Sequence, residues 1–270
     1  MRRIWAIIPA RNEGTRIDKA IQSAWTAGVT EVLVVDNGSS DDTRVISQGQ
    51  PRPPQVLSVP LPLGPDIPRA VGAHLALYGG AETVLFLDGD MTGALAPYLT
   101  GLLAQVEQGM DLAVTDPFPY GPPTQGLAGE VNRFRDLLNQ TLGWNHLGVS
   151  IMSHGPSALS RRFVATVGYR ALGHPPVAMA HGARLGLRAA VGCTMGHEAM
   201  GGAGRDALHA TKMAETLIGD CLQAINVFIG SAPQRCWQGQ CFDGYDSERR
   251  WDWLEDWLQT TPEVPPRPYK

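Results

Sequence analysis

The sequence contains no run of about 18 apolar residues, the length that a helix needs to cross a bilayer. No transmembrane segment is therefore predicted. The first residues are basic and then apolar, but the run soon meets Pro9 and a charged segment, so it is too short for a secretory signal. The chain also lacks excess positive charge. Its net charge of -4 argues against a nucleic-acid partner bound through a broad basic surface.

Cysteine is scarce, and the four cysteines at positions 193, 221, 236 and 241 form only one closely spaced pair. A zinc site built from two such pairs is not predicted, and reduced thiols in a cytoplasmic protein are favoured. The glycine motif of dinucleotide-dependent oxidoreductases is absent after the first predicted strand. With 43% apolar residues, the 270 residues are enough for one large α/β domain or two small ones.

The stretch at 83–91 organises the chain. Its apolar run is typical of a buried strand in a parallel sheet, and it ends abruptly in Asp88, Gly89 and Asp90. Ligands of open α/β sheets bind beyond the carboxyl ends of the strands. Two carboxylates there could hold Mg²⁺ or Mn²⁺ against a diphosphate, because hard cations take oxygen ligands. The alternative is that both Asp residues only cap a turn and the helix after it.

Strands and helices are predicted to alternate along the first half of the chain. Apolar runs predict strands at 3–8, 31–35, 55–59, 83–87 and 112–115, and helical spacing predicts helices at 67–78 and 95–106. Further on, a helix around 177–187, a strand at 189–194 and a long helix at 207–228 are predicted. The alternation predicts an α/β fold, with a doubly wound, mostly parallel sheet flanked by helices.

Three predicted strand ends carry polar motifs: residues 9–13, residues 36–41 and Asp88-Gly89-Asp90. In this combination and order they resemble the inverting family-2 glycosyltransferases of the GT-A fold. The resemblance spans roughly residues 3–210 and is most specific in the first 90 positions. It implies a glycosyltransferase that uses a nucleoside-diphosphate sugar, a UDP- or GDP-sugar, with Mn²⁺ or Mg²⁺. Retention of configuration stays open, since some retaining enzymes share these motifs.

The resemblance also implies roles for individual residues. Asp36 would bind the base or ribose, since a carboxylate only accepts hydrogen bonds, although an Asx turn with Gly38 is the alternative. Arg69 would hold a phosphate, or it is a solvated arginine. Asp88 and Asp90 match the metal motif. The complete set of expected donor-binding residues is Pro9, Ala10, Arg11, Glu13, Asp36, Gly38, Arg69, Asp88 and Gly89.

Relatives with this fold often take a third metal ligand, commonly a histidine, from the C-terminal half. His197 and His209 are the candidates, and His197 is preferred, although a lone histidine is more often structural. Between them lies a glycine-rich stretch that could close over the donor. In the resemblance Arg205 would stabilise the departing diphosphate.

The general base is the point at which this sequence departs from the family. The base is often an Asp or Glu that begins a helix, but the corresponding stretch at 174–182 contains no carboxylate. An acceptor that is already anionic would need no base. Alternatively, His181 or Asp116 could act, or the protein could bind the donor without catalysing transfer. An acidic or phosphorylated acceptor is preferred.

Several residues could bind such an acceptor, which could be a small molecule, a glycan or a lipid phosphate. His154, Ser157 and Arg161 are the candidates, and Arg161 could supply positive charge. The alternatives are an aromatic core residue for His154 and a surface helix cap for Arg161.

The chain is divided by this interpretation into a GT-A domain at 1–230 and a C-terminal tail at 231–270. Residues 1–115 form the nucleotide-sugar half and 116–230 the acceptor half. The tail holds a Trp-rich amphipathic helix within 251–258 and a Pro-rich end. That helix could cover the sheet, form a homodimer contact or touch a membrane surface, but its acidic neighbours argue against anionic lipid.

Two other functions are compatible with parts of this sequence. A sugar-nucleotide pyrophosphorylase would share the layout and metal use, but it needs a glycine-rich loop where this chain has Pro9-Ala10-Arg11-Asn12. A catalytically silent nucleotide-sugar sensor is compatible with the missing base.

Overall fold

The structure is a computed structural model that describes residues 2–201 and 206–261. Its main sheet has seven strands in the order β3-β2-β1-β4-β6-β5-β7. The strands are β1 (Ile4–Ala10), β2 (Glu31–Asn37), β3 (Gln55–Val59), β4 (Thr83–Phe86), β5 (Leu112–Asp116), β6 (Ser157–Ser160) and β7 (Ala189–Thr194). All neighbours pair in parallel except β6, which runs antiparallel to both β4 and β5. The predicted doubly wound, mostly parallel sheet is therefore confirmed.

Helices cover both faces of the sheet. In chain order they are α1 (Ile17–Thr26), α2 (Thr43–Gln48), α3 (Ile67–Tyr78), α4 (Ala96–Glu107), α5 (Gly126–Thr141), α6 (Arg161–Val167), α7 (Tyr169–Leu172), α8 (Pro175–Arg184), α9 (His197–Met200), α10 (Ala207–Ile229) and α11 (Trp251–Thr260). No described helix is both long and apolar enough to cross a membrane.

Two hydrophobic cores form because side chains of a strand alternate between its faces. On β1, Ile7 packs into the core with Val71 of α3, whereas its neighbour Ile8 packs into the core with Ile21 of α1 and Leu99 of α4. Strands buried on both faces read as continuous apolar runs, which is why β1, β2 and β4 were predictable.

The segment after α10 packs onto the domain. Leu254 of α11 is fully buried in the first core, and the backbone N–H of Arg250 donates to the carbonyl of Leu63 at 2.9 Å. A hairpin of β8 (Cys236–Trp237) and β9 (Gln240–Cys241) precedes α11. The expectation of reduced thiols is wrong for this pair, since Cys236 and Cys241 form a disulfide. The hairpin register places them directly opposite each other.

Candidate active site

A cleft of about 370 Å³ lies beyond the carboxyl ends of β1, β2 and β4. The parallel register brings these ends together, because Ala10 pairs with Asp36 and Ile7 pairs with Phe86. Its lining includes Asp90 of the expected metal pair and most of the residues expected to bind the donor: Pro9, Ala10, Arg11, Glu13, Arg69, Asp88 and Gly89. The structure thus brings residues of all three sequence motifs to one cavity, the second motif through Asn37 alone, together with Arg69.

The turn after β4 presents the two aspartates to this cleft. The N–H of Gly89 donates to the carbonyl of Pro9 at 3.1 Å, which ties the turn to β1. A Cβ atom on Gly89 would lie 3.0 Å from the Cβ of Ala10 and 3.1 Å from the carbonyl oxygen of Pro9. Glycine therefore allows this turn to lie close against β1, with Asp88 and Asp90 in the lining of the cleft.

Arg69 joins the metal motif to the loop before α3. Its Nη2 donates to Asp88 Oδ1 at 2.5 Å, and its Nη1 donates to Asp66 Oδ1 at 2.7 Å. Burial opposes the charge of Arg69, but Asp88 and then Asp66 hold its pKa above the ordinary value. The arginine is therefore buried, and the alternative of a solvated side chain is wrong.

Some expected donor contacts lie outside this cleft. Asp36 is buried, and its Oδ1 accepts the N–H of Ser39 at 3.2 Å, as the Asx-turn alternative proposes. Gly38 has a φ of +67° and packs against Pro62, so it shapes the turn. Neither lines the cavity, whereas their neighbour Asn37 does.

The structure places His209, and not the preferred His197, in the cleft with both aspartates. His209 Nδ1 lies 2.8 Å from the hydroxyl of Tyr245, which orients the ring. His197 lines a neighbouring cavity and lies close to His154, with ring centroids 4.8 Å apart. Arg205, expected to act in catalysis, lies outside the described residues.

The neighbouring cavity is larger, about 1140 Å³, and lies between α5, α10 and the loop after β5. Its walls are mainly apolar and include Phe118, Val131 and Leu217. Ser153 and His209 line both this cavity and the donor cleft, so the two spaces adjoin. We call the larger one the acceptor groove.

Arg135 is a buried cation in the wall of the acceptor groove. Its Nη1 donates to His154 Nδ1 at 2.6 Å and to Asn132 Oδ1 at 3.2 Å, and its buried Nε has no described partner. Within 2–201 and 206–261 no carboxylate forms an ion pair with it. Burial lowers its pKa to about 10, which reflects a charge without a counter-ion.

Sequence reasoning missed Arg135, although α5 carried a signal. Asn132, Arg135 and Asn139 recur at spacings of three and four, which places them on one face of the helix, and all three are buried. Polar side chains on a buried helix face need hydrogen-bond or charge partners, so this pattern indicates a buried polar site.

The contact with Arg135 fixes the protonation state of His154. A guanidinium can only donate, so His154 Nδ1 must be the acceptor and cannot carry a proton. Burial, the charge of Arg135 and His197 together hold the pKa of His154 well below its ordinary value. His154 is therefore neutral, with its proton on Nε2.

His154 makes the folded state less stable as the pH falls. In the unfolded chain His154 binds a proton below about pH 6.5, whereas in the folded chain its lowered pKa keeps it neutral there. The free energy of unfolding then falls by up to about 1.4 kcal/mol per pH unit as pH drops below 6.5. We expect His154→Gln to make urea unfolding between pH 6.5 and 5 less pH-dependent than in the wild type. An unchanged slope would contradict this.

The remaining catalytic and acceptor candidates lie elsewhere. Asp116 lines a third cavity of about 530 Å³, where its Oδ1 accepts the N–H of Phe118 at 3.0 Å. His181 lies in α8 and lines none of these three cavities. Ser157 is fully buried within β6, so it does not face the acceptor groove.

The prediction that Arg161 binds the acceptor is wrong. Because β6 runs antiparallel to β4, Ser160 pairs with Thr83 at the beginning of β4, the edge opposite Asp88. There Arg161 Nη1 donates to the carbonyls of Leu77 at 3.1 Å and Ala81 at 3.0 Å. The side chain thus holds the end of α3 in place.

A second acidic cluster, His174, Asp220 and Asp246, has the donor types of a metal site. However, Arg235 and Arg249 already occupy it: Arg235 Nη1 lies 2.5 Å from Asp220 Oδ1, and Arg249 Nη2 lies 2.7 Å from Asp220 Oδ2. Two buried guanidinium groups neutralise these carboxylates, so the cluster is an ion-pair network. Asp88 is also paired with an arginine, but its side chain faces the open cleft whereas Asp220 is fully buried, so the aspartates of the cleft are the more accessible oxygen donor set for a cation.

Residues 5–167 match the family model described as Glycosyl transferase family 2. Among solved structures, glucosyl-3-phosphoglycerate synthase from Mycobacterium tuberculosis with Mn²⁺, UDP and glucosyl-3-phosphoglycerate aligns with a TM-score of 0.58 and 23% identity, covering 82% of this chain and 80% of that one. The complex of the same enzyme with Mn²⁺, UDP-glucose and phosphoglyceric acid aligns with a TM-score of 0.58 and 24% identity, covering 82% of this chain and 80% of that one. The complex with Mg²⁺ and UDP aligns with a TM-score of 0.58 and 21% identity, covering 82% of this chain and 79% of that one. No match was found among curated protein sequences. At these identities the likeness establishes the GT-A fold.

Proposed function

The chain belongs to glycosyl transferase family 2 and is a glycosyltransferase, and we propose that it moves a sugar from a nucleoside-diphosphate donor to an anionic acceptor. The donor would bind in the cleft with Mn²⁺ or Mg²⁺, and the acceptor would bind in the adjoining groove. The observation that carries the anionic acceptor is Arg135, a buried cation without a described counter-ion in the groove wall.

The donor set of the cleft fits a hard cation. Asp88 and Asp90 offer carboxylate oxygens from one turn, and the side chain of Asp88 is 35% exposed, so a ligand has access to it. These two residues would hold the metal, and His209 shares their cavity. When bound, the metal neutralises charge on the leaving diphosphate. The complexes of the mycobacterial enzyme with Mn²⁺ or Mg²⁺ and UDP support this assignment.

The chain's own residues supply the remaining tasks. Arg69 turns from Asp88 toward the diphosphate and donates to its oxygens, since a guanidinium suits phosphate geometry. Arg135 binds the anionic group of the acceptor and orients it toward the donor cleft. The apolar walls of the groove cover the rest of the acceptor and exclude water from the reacting atoms.

The nucleophile of the acceptor decides whether a general base is needed. A phosphate or carboxylate oxygen is already deprotonated at neutral pH and attacks the sugar without a base, whereas an acceptor that Arg135 holds by its anionic group and that attacks through a hydroxyl still needs one. The complex of the mycobacterial enzyme with UDP-glucose and phosphoglyceric acid makes phosphorylated acids the first acceptors to test.

The test is a turnover assay of the full chain. UDP- and GDP-sugars are incubated with Mn²⁺ and one of three acceptor types: phosphorylated acids such as 3-phosphoglycerate, a polyprenyl phosphate, or neutral sugars. Released nucleoside diphosphate and glycosylated product are quantified by chromatography. We expect product only with metal and an anionic acceptor. Product from neutral sugars alone would overturn the acceptor class. In a parallel incubation of nucleoside triphosphate with a sugar phosphate, consumption of the triphosphate would indicate a pyrophosphorylase instead.

A further inference from the structure

The C-terminal segment at 246–250 packs against the loop that leads into α3. Arg250 donates its backbone N–H to the carbonyl of Leu63, and a Cβ atom on Gly64 would lie 2.3 Å from the carbonyl oxygen of Glu248. Gly64 has a φ of +80°, so both its conformation and its surroundings require glycine. This segment lies outside the residues 5–167 that match the family.

A row of ion pairs runs from this segment to the metal motif. Arg249 Nη2 donates to Asp66 Oδ2 at 3.1 Å. The other oxygen of Asp66, Oδ1, accepts from Arg69 Nη1 at 2.7 Å, and Arg69 Nη2 donates to Asp88. Asp66 therefore lies between two arginines, Arg69 of α3 and Arg249 of the C-terminal segment.

Arg249 is held rigidly at its own end of the row. Its side chain is 0% exposed, and its terminal N–H groups also donate to Asp220 Oδ1 at 2.9 Å, Asp220 Oδ2 at 2.7 Å and Asp246 Oδ1 at 2.7 Å. These contacts use all four terminal hydrogens of the guanidinium. Arg249 cannot follow Asp66 if Asp66 moves, so it fixes the orientation of that carboxylate.

The row also fixes the position of the guanidinium of Arg69. Asp66 holds Nη1 of Arg69, and this leaves Nη2 at Asp88 in the wall of the cleft. If Asp66 loses Arg249, its carboxylate can rotate, and the guanidinium of Arg69 moves with it. We infer that Arg249 is a positioning residue of the donor site, acting through Asp66 on Arg69. The inference rests on the proposed function.

The experiment is a double-mutant cycle with Arg249→Lys and Asp66→Asn, read as the affinity for UDP with Mn²⁺ by calorimetry. Each single variant is expected to weaken UDP about tenfold. Since both substitutions act through the same carboxylate, the double variant is expected to lower the affinity for UDP by no more than about twentyfold. Independent effects that multiply to about a hundredfold would overturn the inference, and so would Arg249→Lys binding UDP like the wild type.

Asp246→Asn is the matched control. It removes another carboxylate partner of Arg249, but Asp246 has no contact with Arg69 among the described residues. Its UDP affinity is expected to stay within twofold of the wild type, even if its melting temperature falls. An equal loss of affinity in this variant would mean that Arg249 acts only through general stability.

A measurement on the wild type tests the same inference even if the variants do not fold. Coupling between two sites is reciprocal, so UDP and Mn²⁺ must stabilise the segment that stabilises their site. We expect amide hydrogen exchange at 246–250 to slow when UDP and Mn²⁺ bind the wild type. If exchange there is unchanged although UDP binds, the inference about Arg249 is overturned and the proposed donor stands. If the wild type binds GDP instead of UDP, the same cycle is read with GDP; if it binds neither with Mn²⁺, the proposed donor fails and the inference falls with it.

Discussion

Asp90→Asn is expected to lower kcat for sugar transfer by about 10³-fold or more. Asparagine keeps the size of the side chain, but it removes the negative charge that a divalent cation needs at the end of β4. Donor turnover is measured over a Mn²⁺ titration, because a weakened metal site would also shift the midpoint to higher metal concentration.

The matched control is Asp18→Asn, at a half-exposed position on α1. It removes the same charge at a residue that lines none of the cavities described above, so turnover and metal dependence are expected to match the wild type. Should Asp90→Asn keep full turnover at every Mn²⁺ concentration, the cleft would not be the metal site.

Arg135→Met is expected to have opposite effects on acceptor binding and on stability. The KM for an anionic acceptor rises about a hundredfold, because a charge-assisted contact in a desolvated groove is lost. The free energy of unfolding rises on the order of 1–3 kcal/mol, because the variant no longer buries an uncompensated cation. Acceptor kinetics and urea unfolding are measured on the same preparation.

Arg133→Met is the control on the same helix, since Arg133 is exposed where Arg135 is buried. Neither the acceptor KM nor stability is expected to change much there. Donor affinity is expected to be unchanged in both variants. A loss of stability in Arg135→Met without any change in acceptor KM would give Arg135 a purely structural role.

The parts of the fold that sequence reasoning identified are those with local signals. β1, β2 and β4 are apolar runs because both faces of the sheet are covered, and α10 shows helical spacing together with an Asp206 cap whose carboxylate accepts the N–H of His209. The metal motif was recognisable because Asp88 and Asp90 directly follow such a run. Strand order then brings the motifs together without further information.

The parts that were missed depend on contacts between distant residues. β6 is only four residues long and antiparallel, and nothing in Ser157-Ala158-Leu159-Ser160 indicates the direction of the strand. The error about Arg161 follows directly from that. Likewise, the contacts of Arg249 with Asp220 and Asp66 join residues 29 and 183 positions apart. No periodicity in the sequence encodes such a pair.

The burial of Arg249 and Leu254 has a consequence for biosynthesis. The ribosome makes these residues after every strand of the main sheet, yet they neutralise Asp66 and Asp220 and cover part of α3. A nascent chain that has reached only α10 therefore exposes apolar surface and carries carboxylates that lack this arginine. Such intermediates aggregate readily, so we expect the growing polypeptide to rely on chaperones until this segment has been made.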